Sequence, residues 1–137
     1  MLMLRISVPL AVAVGALAAC GPGDRSRGEP VALAEADSGA NITAPVGKEI
    51  VLTLSTTPGT GYGWMLVDSG VPALRLLEGV AVTRDSASSA KVGAPATATW
   101  KFRADATGSG TIRLEYRRPW ERDVAPARLY QVSVEVR

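Results

Sequence analysis

The residues best placed to act in this 137-residue chain are rings and glycines, not acids, bases or nucleophiles. "TPGTGYGW", residues 57–64, sets Tyr62 and Trp64 behind Gly59 and Gly61, with Gly63 between the rings. A buried strand would hold the rings but has no use for three glycines. A plain turn would use the glycines but not the rings. The stretch therefore reads as a shaped loop, opened by Pro58, with Thr60 and Gly61 at its tip and no packing reason to be there. A phosphate-cradling loop would feed a helix and carry Lys before Ser or Thr; here strand-like "WMLV" follows. Tyr62 and Trp64 are two apart, so on a strand they share a face. Folding both rings back into the core accounts for them as well as presenting them to a partner does.

"RRPWER", residues 117–122, is the second such stretch. Pro119 cannot donate to a sheet ladder, so pairing stops there. Trp120 then falls among Arg117, Arg118, Glu121 and Arg122, surroundings that suit a core residue poorly. It either lies flat on the surface or anchors a partner, since Trp and Arg dominate binding hot spots.

Bond-making chemistry is excluded by what is missing. The chain has no histidine and one cysteine, Cys20. Neither a Ser-His nor a Cys-His nucleophile can be built, nor a Cys/His zinc site. No Asp or Glu pair clusters as a hydrolase would need. No catalytic residue, metal or cofactor is expected, and no disulfide. The net charge of +2 comes with arginines spread along the chain, not the clustered basic face that nucleic acid requires.

The N-terminus has the architecture of a signal peptide. Arg5 is followed by the apolar run "ISVPLAVAVGAL" and by "LAAC", ending at Cys20. The run is too short to span a bilayer, which takes about 20 residues. Leu17-Ala18-Ala19-Cys20 before Gly21 resembles the bacterial lipoprotein box, which implies cleavage after residue 19 and lipid on Cys20. The alternative is an ordinary secretory signal with a chance cysteine. Residues 20–40, rich in Gly, Pro, Ser and charge, read as a flexible tether. The expected product is an exported lipoprotein of a bacterial cell envelope, facing the periplasm or the cell surface.

From residue 41 the texture changes to that of one all-β domain, 41–137. Ile50, Leu52 and Leu54 share a face. Ala98, Trp100 and Phe102 alternate with polar residues, as do Ile112, Leu114 and Tyr116, and then Tyr130, Val132, Val134 and Val136. Period two with one polar face marks antiparallel strands half facing water. "YGWMLVD" adds a strand candidate. "ALRLLEGVAVTRD" is ambiguous between helix and strand, with strand favoured from Val80, and "DSASSAKVGAPA" is a polar loop. About seven short strands predict an immunoglobulin-like antiparallel β-sandwich, without the Cys–Trp–Cys hallmark of antibody domains.

Together the two ring-bearing stretches resemble the chagasin family of inhibitors of papain-like cysteine proteases. Pro58, Thr60, Gly61, Tyr62 and Trp64 match its first loop motif, with Thr57 in place of Asn and Gly59 in place of Thr. Arg118-Pro119-Trp120 matches its third. The Gly-rich second loop is weaker here, keeping Gly93 but running on as Ala94, Pro95 and Ala96. The likeness spans roughly residues 45–137. It implies a monomeric, reversible, competitive inhibitor whose three loops wedge into a protease cleft, Thr60 and Gly61 lying by the catalytic Cys and Trp120 on the primed side. The competing expectation is an envelope-anchored binding module whose aromatic loops hold another protein or a glycan.

Overall fold

The structure, a computed structural model, describes residues 28–84 and 93–137. The leader, Cys20, the first part of the expected tether and residues 85–92 of the polar loop lie outside the described residues. Among the described residues are eight strands: β1 (Val31–Leu33), β2 (Asn41–Ala44), β3 (Glu49–Thr56), β4 (Gly63–Ser69), β5 (Leu74–Arg84), β6 (Ala96–Ala104), β7 (Gly108–Arg117) and β8 (Arg128–Val136). They form two four-stranded sheets, ordered β1-β3-β6-β5 and β2-β8-β7-β4. This is the expected immunoglobulin-like sandwich, with the short strands β1 and β2 pairing in parallel with β3 and β8.

The alternation seen in the sequence becomes the core. Leu52 faces Trp100 across the β3–β6 ladder and Ile50 faces Phe102; all four are buried. From the other sheet Ile112, Leu114, Val132 and Val134 complete the layer, each fully enclosed. Inward positions from both sheets interdigitate, which is how a sandwich with no disulfide is held together.

Two expectations need correction. The ambiguous "ALRLLEGVAVTR" is one strand from Leu74 rather than from Val80. It is an edge strand, and its pairing with β6 slips between Leu76 and Glu78 and again between Glu78 and Ala81. Bulges break period two, so no clean alternation was there to see. The tether also ends before residue 40. Leu33 is buried against the core, and β1 runs alongside β3 with Val31 opposite Ile50 and Leu33 opposite Leu52. A three-residue strand has no local signature; its long-range pairing makes it. Because β1 is parallel to β3, the chain enters beside Lys48 and travels toward Thr56. A 3-10 turn at Glu35–Asp37 follows, closed by a hydrogen bond from the Ala34 amide to Asp37 Oδ2 at 2.8 Å.

Tyr130 is the costly member of the core. It is buried opposite Leu114, and its hydroxyl finds no hydrogen-bond partner among the described residues. Burial, and secondarily the negative charge of Asp37, push its pKa from 10.0 up to about 12. The folded state favours the protonated phenol, so that contribution to stability is complete below pH 10.0 and disappears as the pH rises toward about 12. Tyr130→Phe deletes the unsatisfied hydroxyl. It should raise stability at neutral pH by about 1 kcal/mol. Urea unfolding followed from pH 9 to 12 should show a smaller alkaline loss in the variant than in the parent.

Candidate functional site

The β-sandwich gathers three loops at one pole. Residues 57–62 cross from β3 in one sheet to β4 in the other, and residues 118–127 join β7 to β8. Ala96, where β6 begins, pairs with Thr56, the last residue of β3. Gly93 and Ala94, just ahead of Ala96, therefore arrive at the same pole; Gly93 is exposed and has φ +79. All of the candidate residues from Pro58 to Trp120 thus share one end of the molecule.

The first loop is built as a tight 3-10 turn, Pro58–Thr60, with proline in its first turn and Gly61 closing it at φ +79. Proline suits that start because its missing N–H would have had no partner. The Thr60 hydroxyl donates to the Thr57 carbonyl at 2.7 Å. The two ends of the loop then rest on one side chain. The Thr57 amide donates to the Tyr116 hydroxyl at 3.0 Å, and the Tyr62 ring stacks on the Tyr116 ring at 5.5 Å between centroids.

Tyr116 lies on a rung of its sheet with Trp64 of β4 on one side and Arg128 of β8 on the other. Trp64 packs 5.0 Å from the Tyr116 ring, and its indole N–H donates to the Ser55 carbonyl at 2.9 Å. The Arg128 guanidinium stands 5.0 Å from the Trp64 ring and 5.2 Å from that of Tyr116, a cation–π arrangement on two rings. The two rings of "YGW" therefore divide the roles. Trp64 leans on the core, while Tyr62 sits half-buried between the Tyr116 ring and solvent.

The third loop is fastened to the first. Arg118 Nε donates to the Thr60 carbonyl at 3.2 Å, its guanidinium lies 4.4 Å over the Tyr62 ring, and it pairs with Glu121 at 3.4 Å. Trp120 reaches across to cover Gly61. A Cβ added at Gly61 would lie 2.6 Å from the edge of the Trp120 ring. Trp120 nevertheless keeps 67% of its surface exposed. The expectation that Thr60 and Gly61 have no packing reason to be at the tip is thus wrong. Thr60 holds the turn and receives Arg118, and Gly61 makes room for the indole. Two residues of this pole escaped notice in the sequence, Tyr116 as the support of the loop and Arg128 as the cation beneath it. Both owe their roles to register, which no local pattern displays.

A shallow groove of about 260 Å³ runs between the first loop and the edge of the other sheet, lined by Pro58, Tyr62, Trp64, Val80, Val82 and Pro119 among others. Val80 and Val82 are half-exposed there. No cluster of three or more His, Cys, Asp or Glu that could hold a metal occurs among the described residues. The pole offers rings, backbone and arginines, a chemistry of contact.

Gly61→Ala tests this packing. It carries a left-handed backbone penalty of about 1–2 kcal/mol and forces the Trp120 ring aside. Gly63→Ala, with open space around it and no positive φ, should disturb neither. Thermal unfolding should show the loss for Gly61→Ala alone, with a shift in tryptophan emission.

Known proteins share this fold. The chain is 29% identical over 105 residues to Amoebiasin-2 of Entamoeba histolytica, covering 77% of this chain and 84% of the relative. The crystal structure of the cysteine protease inhibitor EhICP2 from the same organism superposes with a TM-score of 0.69 at 28% identity, over 78% of this chain and 95% of that one. The solution structure of Amebosin gives 0.63 at 29%, over 80% and 100%. PbICP-C, solved in complex with falcipain-2, shares the fold at 18% identity and a TM-score of 0.53, over 78% and 99%. Residues 43–134 match the model of the chagasin family peptidase inhibitor I42. That match covers about two thirds of the chain and takes in the first and third loops of the pole, and the chain belongs to the chagasin family of peptidase inhibitors.

Proposed function

We propose that the chain is a reversible, competitive inhibitor of papain-like cysteine proteases and that the loop pole is the wedge that enters the enzyme's cleft. The observation that carries this reading is the preset junction of the first and third loops, Trp120 over Gly61 and Arg118 on the Thr60 carbonyl. A surface already assembled before binding pays little ordering entropy on association. The kinship with a cysteine protease inhibitor at 28% identity supports the target class.

Inhibition by such a wedge is occlusion. The tip offers the backbone of Thr60 and Gly61, with little side-chain bulk to press a peptide carbonyl onto a thiolate. A bond that is not held in near-attack geometry is cut slowly. The exposed indole of Trp120 supplies an aromatic anchor beside the tip. Gly93 and Ala94 bring the second loop to the same pole, where it would flank the cleft on the other side.

The test is inhibition of papain by the chain lacking residues 1–20. Trp120→Ala should weaken it about thirtyfold, the effect of losing an anchor of roughly 2 kcal/mol, while the melting temperature barely moves. Trp100→Ala, in the core, should do the reverse and cost about 3–5 kcal/mol of stability. Thr60→Arg should weaken inhibition by putting bulk and charge at the tip, and Ala94→Asp should matter less. If Trp120→Ala inhibits as well as the parent, the third loop is not part of the wedge. If the parent leaves every papain-like enzyme active at micromolar concentration, a binding module for another protein or a glycan becomes the better reading.

We further propose that the chain is exported and held at a membrane of the cell envelope by lipid on Cys20. Arg5, the apolar run and "LAAC" support this. Cys20→Ser should abolish labelling by a fatty-acid probe; labelling that persists in that variant rules the anchor out.

A further inference from the structure

We infer that Glu35, which precedes the family-matched region 43–134, is a positioning residue for the inhibitory loop and acts through Arg128. The inference rests on the inhibitor reading above and adds a part to it, an N-terminal brace.

Glu35 opens the 3-10 turn that follows β1, and the ladder between β1 and β3 carries it to the loop pole. Its carboxylate accepts from two groups there. One is Arg128 Nη2 and the other is the Ser55 hydroxyl, at 2.9 Å. Arg128 Nη1 also approaches the Ser55 carbonyl, at 3.4 Å, the same oxygen that receives the Trp64 indole N–H at 2.9 Å. Glu35 thus holds the guanidinium against the rings of Trp64 and Tyr116. Tyr116 in turn holds both ends of the loop, through the Thr57 amide and the Tyr62 ring. The path from Glu35 to the tip is a chain of direct contacts.

Why Glu35 matters follows from what Arg128 does without it. Arg128 is half-exposed, and an arginine on the surface has many rotamers available. Only those lying over the two rings give the cation–π contact. The carboxylate selects them, and Ser55 fixes the carboxylate. Glu35 bonds Arg128 and Ser55 and acts on the loop through them, so it sets the fraction of molecules whose loop is ready to bind. An inhibitor whose competent state is only fractionally populated has an apparent affinity reduced by that fraction. The deficit falls on the association rate, whereas loss of a direct contact to the enzyme appears in the dissociation rate.

The experiment compares the full chain with Glu35→Gln, which removes the charge but keeps the size. With papain, the association rate should fall about fivefold, the dissociation rate should be unchanged, and the melting temperature should move little. In an Arg128→Gln background, Glu35→Gln should have no further effect on that rate. The exchanged pair, Glu35→Arg with Arg128→Glu, restores an ion pair but leaves no cation on the rings; it should recover stability without recovering association. Hydrogen exchange at the Thr57 amide reads the positioning with no protease present and should quicken in Glu35→Gln. Unchanged association and exchange in Glu35→Gln would overturn the inference, as would an effect confined to dissociation or full recovery by the exchanged pair. If the parent does not inhibit, the protease reading fails instead, and the Thr57 exchange decides the brace alone.

Discussion

The hydrogen bond from the Thr57 amide to the Tyr116 hydroxyl ties a loop that crosses between sheets to the middle of one of them. Tyr116 is 7% exposed and lies on a rung between Trp64 and Arg128. Its ring cannot move without disturbing β4, β7 and β8 together. The loop thereby inherits the rigidity of a sheet, although it contains two glycines in the six residues from Thr57 to Tyr62. The third loop uses that rigidity at second hand. Arg118 and Trp120 fasten onto Thr60 and Gly61, which are themselves held.

An inhibitor that acts as the proposed wedge needs this more than it needs any reactive group. Binding energy in such a molecule is set by how little must be ordered on contact and by a few desolvated anchors, not by area alone. The arginines at this pole do more than form surface ion pairs, which contribute little by themselves. Arg118 and Arg128 stand over rings, 4.4 to 5.2 Å from their centroids, where a planar cation packs as well as attracts.

The sheets were legible because β3, β6, β7 and β8 alternate without interruption, and their inward residues join in one buried cluster. β5 was not, because an edge strand bulged at Leu77 and again near Gly79 carries no steady period. β1 was not, because three residues in a Gly- and Pro-rich stretch become a strand only when β3 lies beside them. At the loop pole the motif residues were visible as types and spacings. That Trp64 faces the core while Trp120 covers Gly61 depends on which strands neighbour which, and the spacing of "YGW" is compatible with either outcome. Arg128 and Glu35 are further out of reach. They are 93 residues apart and meet only because β1 and β8 belong to different sheets that converge at one end.

The direction of β1 also gives the molecule a polarity along its long axis. Gly28 lies next to Lys48, at the start of β3, and the loops lie beyond Thr56 at its end. β3 is eight residues long, which separates the two poles by roughly 27 Å. A leash attached ahead of Gly28 therefore leaves from the far side. Were this domain moored to a bilayer by such a leash, its loops would face outward like the tip of a short mast. A large enzyme approaching from the aqueous phase would meet them first, and the surface to which the inhibitor is moored would not stand in its way.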